Sequence, residues 1–220
     1  MKIALVGYGK MGKLIEQIAL ERGHEVIVKI NRDNVSYDFN EAKFQQADVV
    51  IEFTNPEMAF YNVSKCLQWG KPVVCGSTGW NEQIQEANAI CLQNNTSFIT
   101  ASNFSIGVQL FWRINQYMAK LMKRHSDYQV YVEETHHIHK KDAPSGTAIT
   151  TVQQIIEELD NKDQWQLGLH NAAENVIPVV AHRIDEVPGT HEVIYQNEID
   201  AIALKHTAFT RNGFALGAVV

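Results

Sequence analysis

Apolar and polar positions follow two rhythms along this 220-residue chain. In the first half, short β-branched runs alternate with stretches of helical period. Lys2 to Val6, Glu25 to Ile30, Ala47 to Phe53, Pro72 to Cys75 and Ser97 to Ala101 read as buried strands. Between the first two, Met11, Leu14, Ile15 and Ile18 recur at helical spacing, and Gly23 can end that helix. Pro56 stands just inside a further helix start, with Thr54 or Asn55 as its cap, and Gly70 stops it. A polar helix is expected from Asn81 to Asn94. Such alternation predicts a parallel sheet covered on both faces, with ligands at the carboxyl ends of its strands.

The rhythm changes near Phe104 to Gly107, where a domain boundary is expected. Phe111, Ile114, Met118 and Leu121 predict the apolar stripe of a long helix. Tyr128 to His137 reads as a strand, and Ser145 to Leu159 as a helix with Ala148, Val152, Ile155, Ile156 and Leu159 on one face. Val176 to Ala208 reads as strands broken at Pro188-Gly189. The fold class expected is α/β: an N-terminal parallel sheet, then an α+β domain with a mixed sheet. Gly213 to Val220 reads as the start of an apolar helix without a cap, as expected of a chain that continues.

Composition narrows the function. Net charge is -6, so a nucleic-acid partner is not expected. No apolar run approaches membrane-spanning length, and no signal peptide is visible. Cys66, Cys75 and Cys91 are odd in number and form no C-x-x-C pair, which fits a reducing, cytoplasmic location.

Gly7-Tyr8-Gly9-Lys10-Met11-Gly12 is G-x-G-x-x-G between a strand and a helix, the setting of a Rossmann-like dinucleotide loop. Its glycines allow a tight turn and close approach of a pyrophosphate to the helix start. Asn31-Arg32 stands where an acidic residue would read a ribose 2′-hydroxyl. With no carboxylate there, and Arg32 able to pair with a 2′-phosphate, NADPH is expected, with NADH as the alternative. The other reading of Arg32 is an ordinary solvated cation.

Glu133 to Ala148 runs E-E-T-H-H-I-H-K-K-D-A-P-S-G-T-A. Alternation sets His137 and His139 on one face and His136 on the other. Metal binding, a solvated basic loop and an anion-binding acid/base site compete as readings. No H-E-x-x-H and no nearby Cys or acidic ligand at metal spacing is present, so no metal is expected. Ser145 or Thr147 can cap the following helix, and Gly146 lets an anion reach its free N–H groups, which favours the third reading.

This segment resembles the dihydrodipicolinate reductase family. So do Glu52-Phe53-Thr54 (D-F-T, with Glu for Asp), Gly76-Ser77-Thr78-Gly79, Ala101 to Val108 and His206 to Val219. The resemblance implies NAD(P)H-dependent reduction of 4-hydroxy-tetrahydrodipicolinate in lysine/diaminopimelate biosynthesis. It implies His136 as catalytic acid/base and Lys140 as proton donor, with His137, Ser145, Gly146 and Thr147 binding a small dicarboxylate. Gly7, Tyr8, Gly9, Lys10, Met11, Gly12, Asn31 and Arg32 would hold the adenosine end of the cofactor. Phe53, Thr54, Gly76, Ser77, Thr78, Ala101, Ser102, Asn103 and Phe104 would line the nicotinamide end. It further implies a dinucleotide-binding domain over 1–105, rejoined by about 211–220, and a substrate-binding and oligomerisation domain over 106–210 of a homotetramer. Rival readings are another two-domain amino-acid or homoserine dehydrogenase, and a dinucleotide sensor without catalysis.

Overall fold

The computed structural model describes residues 1–31, 42–168 and 173–220. The chain forms two compact units, Met1–Ser105 with Phe214–Val220, and Ile106–Gly213.

In the first unit the order is β1 (Lys2–Val6), α1 (Lys10–Glu21), β2 (Glu25–Ile30), α2 (Ala42–Gln45), β3 (Val49–Glu52), α3 (Pro56–Gln68), β4 (Val73–Cys75), α4 (Ile84–Gln93) and β5 (Phe98–Thr100). The strands lie in the order β2-β1-β3-β4-β5, every neighbouring pair parallel. The strands read as unbroken apolar runs because both faces are covered. Ala4, Val6, Val50 and Val73 pack with Ala59, Val63 and Leu67 of α3 and Ala87 of α4. On the other face Ile3, Leu5 and Ile51 meet Ile15, Ile18 and Ala19 of α1 and Ala215 and Ala218 of the C-terminal helix, Asn212–Val219. Each fully buried Val, Leu or Ile contributes roughly 1.5–3 kcal/mol. Asn55, not Thr54, caps α3, its side chain accepting from Met58 N–H at 3.0 Å. Thr54 is occupied elsewhere, since its hydroxyl bonds Glu52.

The second unit contains α5 (Ile106–Met122), β6 (Gln129–His136), α6 (Gly146–Glu158), β7 (Gln164–Leu167), β8 (Val176–Arg183), β9 (Gly189–Gln196) and β10 (Ala201–Ala208). Its sheet runs β10-β9-β6-β8-β7. β6 pairs antiparallel with β9 and parallel with β8, so the sheet is mixed as the sequence predicts. Helices α5 and α6 pack on one face, where Phe111, Trp112, Ala148, Val152 and Ile155 meet Val130, Val132, Val179 and Val193.

Two details differ from the sequence pattern. Of the stripe expected on α5, Ile114 and Leu121 are exposed, whereas Val108, Phe111, Trp112 and Ala119 are buried. Apolar residues surround much of this helix, and the sheet selected the face that Trp112 can fill while its indole N–H donates to Thr151 at 3.0 Å. The strand β7 was not expected: its Q-W-Q-L carries too little alternation to stand out, and pairing with β8 creates it.

Candidate active site

The glycine loop leaves β1 where the strand order turns back, since β2 lies on one side of β1 and β3 on the other. Such switch points are where open α/β sheets bind ligands. Gly7 has φ +96°, and a Cβ on it would stand 2.0 Å from the Phe53 carbonyl oxygen. A Cβ on Gly12 would stand 2.2 Å from the Gly7 carbonyl oxygen. These two glycines let the loop close. Gly9 is different, for a Cβ there would meet nothing. It is the N-cap of α1, whose start carries no side-chain cap and no acidic residue. A positive helix end with open space above it suits a pyrophosphate. Tyr8 bonds Glu16, with Lys29 Nζ 5.0 Å above its ring. Met11 is half-buried against the core, and Lys10 and Asn31 are exposed. Arg32 lies outside the described residues.

The remaining residues expected at the cofactor sit past the ends of β3, β4 and β5. Phe53 packs its ring on Gly76, where a Cβ would come 2.1 Å from the ring, and lies 6.1 Å from the Phe104 ring. Thr54 N–H donates to Ser77 Oγ at 2.8 Å. Ser77 is buried, and Trp80 Nε1 donates to its carbonyl at 2.8 Å, so its side chain organises the loop while Thr78 is exposed. Asn103 Oδ1 accepts from Ser105 N–H at 2.9 Å, and Ala101 and Ser102 precede it in the turn after β5. The fit for a dinucleotide is therefore good: two glycines shape the turn, one leaves room, and the helix end is open.

In the second unit, β6 ends at His136, and its alternation buries Val132, Glu134 and His136 on one face. His137 and His139 follow on the other side, their rings 6.1 Å apart. His137 Nε2 lies 3.4 Å from Arg211, and burial together with that guanidinium pushes the His137 imidazole below its usual range. His139 pairs with Glu186 at 3.0 Å, and Lys140 Nζ pairs with Asp142 at 2.8 Å.

Sequence reasoning missed the residue at the centre. Glu134 is 1% exposed. Its Oε1 accepts from Ser145 N–H at 3.0 Å and from Arg183 at 3.1 Å. Its Oε2 lies 3.3 Å from His136 Nδ1 and 3.6 Å from His191 Nε2. Burial works to raise the Glu134 carboxyl, but the groups of His136, His191 and Ser145 outweigh it and hold it well below the usual carboxylate range. His191 is buried too, and burial pushes its imidazole below the ordinary value. Arg183 also reaches the carbonyls of Lys140 (3.4 Å) and Asp142, tying down the loop that carries Lys140. A charged residue two positions before His136 in an alternating strand was the available signal; Arg183 and His191 had none, being distant in sequence.

Ser145 caps α6, its Oγ accepting from Ala148 N–H at 3.2 Å and lying 3.2 Å from His191 Nε2. Gly146 is exposed and a Cβ on it would meet nothing, leaving the first turn open to an anion. Glu134, His136 and His191 form a group with ligand atoms within 4.8 Å of one another, close enough to share a metal ion. The sequence reading found no acidic ligand at metal spacing, yet the fold brings one. Arg183 and the Ser145 N–H already balance that carboxylate, so its charge is compensated without a metal ion.

A family model described as dihydrodipicolinate reductase, N-terminus, matches residues 1–104, and one described as its C-terminus matches residues 107–220. The chain belongs to the dihydrodipicolinate reductase family. A 4-hydroxy-tetrahydrodipicolinate reductase of Christiangramia forsetii is 46% identical over 220 residues, covering 100% of this chain and 90% of that protein. One from Archaeoglobus fulgidus is 31% identical over 240 residues, covering 100% and 91%. Among solved structures, a dipicolinate-bound dihydrodipicolinate reductase from Paenisporosarcina sp. TG-14 has a TM-score of 0.73 at 25% identity, covering 99% of this chain and 91% of that one. An aspartate dehydrogenase from Thermotoga maritima, with a TM-score of 0.51 at 13% identity over 100% and 93% of the two chains, shares the fold alone. For this reductase family member, the first unit is thereby the dinucleotide-binding one. No helix among the described residues is long and apolar enough to cross a membrane.

Proposed function

We propose that this chain reduces 4-hydroxy-tetrahydrodipicolinate with NAD(P)H, in lysine/diaminopimelate biosynthesis. The observation that carries the reading is the His136–Thr147 segment. It is intact in a chain matched to the family along its whole length, and its strand end and helix start are joined through one buried carboxylate. A bound nicotinamide supplies the hydride. The chain's own residues do the rest. Gly146 and Thr147, at the start of α6, hold a substrate carboxylate with backbone N–H groups, helped by the Ser145 hydroxyl and His137. Lys140 and His136 move the protons that accompany loss of the hydroxyl as water and reduction of one ring double bond. The fixed contacts to that carboxylate also hold the ring in one orientation, which lowers the entropic part of the barrier.

NADPH is the preferred donor in this reading, because Asn31-Arg32 offers no carboxylate to repel a 2′-phosphate and Lys10 is exposed at the loop. The enzyme acts in the cytoplasm, in keeping with three free, buried cysteines. It assembles as a homotetramer through the sheet face that α5 and α6 leave uncovered, where Tyr131, Val180 and Ile194 lie. The test is steady-state oxidation of NADPH and NADH with freshly made dihydrodipicolinate synthase product. Turnover with a lower KM for NADPH supports the reading, and no turnover with either donor refutes it. Light scattering reads the assembly.

A further inference from the structure

His136 Nδ1 is sealed from solvent and makes no hydrogen bond that meets full geometry, and the same holds for Glu134 Oε2. These two atoms face each other at 3.3 Å. At that separation a proton on Nδ1 is drawn toward the carboxylate, whereas a bare Nδ1 would set two lone pairs against each other in a buried space. The other ring nitrogen points elsewhere. A Cβ on Gly189 would come 3.1 Å from His136 Nε2, so this residue at the start of β9, being glycine, places no side chain of its own against that nitrogen. Among the described residues, the charged and titratable groups facing the carboxylate are His136 on β6, Arg183 on β8 and His191 on β9, with the Ser145 N–H at the start of α6.

We propose that Glu134 is a positioning residue: it holds the proton on His136 Nδ1 and so makes Nε2 the nitrogen that exchanges a proton with the substrate. This rests on the reading of His136 as the acid/base. The carboxylate acts through the imidazole and touches no reacting atom. It stays charged because Arg183 and the Ser145 N–H share its other oxygen, and that oxygen also fixes where α6 begins. One buried charge thus sets both the orientation of the imidazole and the position of the anion-binding helix start.

The test is a double-mutant cycle on the full-length enzyme with Glu134→Gln and His136→Ala. The expected loss in kcat for Glu134→Gln is on the order of 10²-fold, with the KM for NADPH unchanged. In the His136→Ala background the same change is expected to cost less than about threefold, because its target is gone. Glu134→Asp, which keeps the charge, is expected to recover part of the loss. If His136→Ala turns over normally, the acid/base reading itself is wrong. If His136→Ala is crippled but Glu134→Gln loses equally in both backgrounds, or not at all, the positioning role is wrong. A purely scaffolding role, through Ser145 and Arg183, would instead raise the substrate KM in both backgrounds. Should Glu134→Gln not fold, nitrogen NMR of the histidine-labelled wild-type enzyme decides. A proton on His136 Nδ1 supports the assignment, and a proton on Nε2 with bare Nδ1 overturns it.

Discussion

Ser77 Oγ donates to the buried carboxylate of Glu52 across 3.0 Å, joining the loop after β4 to the end of β3. The same carboxylate accepts from Thr54 N–H at 3.1 Å and faces Cys75 Sγ at 2.9 Å. Burial raises the Glu52 carboxyl above its usual range, opposed by the groups of Cys75, Thr54, Ser77 and Asn62. Glu52→Leu strips these donors of their acceptor, at roughly 1–3 kcal/mol for each one left buried and unpaired. The expected outcome is a lower melting temperature and a higher KM for NAD(P)H, read by thermal unfolding and cofactor titration. A variant as stable as the parent would refute the account.

Gly9 and Gly12 have opposite jobs, which alanine separates. On Gly12 a methyl meets the Gly7 carbonyl oxygen, so Gly12→Ala should cost about 1–3 kcal/mol of stability. On Gly9 it meets nothing, so stability should hold within about 0.5 kcal/mol. Cofactor KM should nonetheless rise about tenfold or more, because the methyl occupies space needed for close backbone approach. Equal cofactor affinity in Gly9→Ala and wild type would mean the pyrophosphate does not sit there.

Lys140 pairs with Asp142, and Arg183 holds its carbonyl, so the amine is placed by its loop. Lys140→Ala and His136→Ala are each expected to lower kcat by about 10²–10⁴-fold. NADPH affinity, followed by fluorescence, should be unchanged in both.

His191, His137 and His206 all have imidazoles pushed below the ordinary value, burial being the first cause in each. Below the ordinary histidine value the unfolded chain takes up protons that the fold refuses, so stability falls as pH falls. Melting temperature should decline between about pH 7 and pH 5. Glu134 has the same sign but acts lower, its contribution being present above the ordinary carboxylate value and lost only in stronger acid. His191→Gln, which cannot take up a proton, should flatten the decline near neutrality.

The Glu134–His136–His191 group has the spacing of a metal site but a carboxylate already balanced by Arg183. Dialysis against a chelator is expected to leave kcat unchanged. Loss of activity that zinc restores would reverse this assignment.

The first sheet was legible because its strands are buried on both faces, which leaves unbroken apolar runs separated by glycine turns. The start of α6 was legible for a related reason: Ser145 is a capping residue whose bond to Ala148 N–H is local. The buried face of α5 was not, since Ile114 and Leu121 suit a stripe as well as Trp112 does.

Local spacing thus determined the glycine loop, the alternation that separates His136 from His137, and the capped helix at Ser145, because each depends on neighbours a few residues apart. Only tertiary structure decided that Glu134 meets Arg183 and His191. Those partners lie on strands far along the chain, and β6 acquires them by pairing with β8 on one side and β9 on the other. A buried carboxylate needs compensating charge and hydrogen bonds, and sheet pairing is what delivers them.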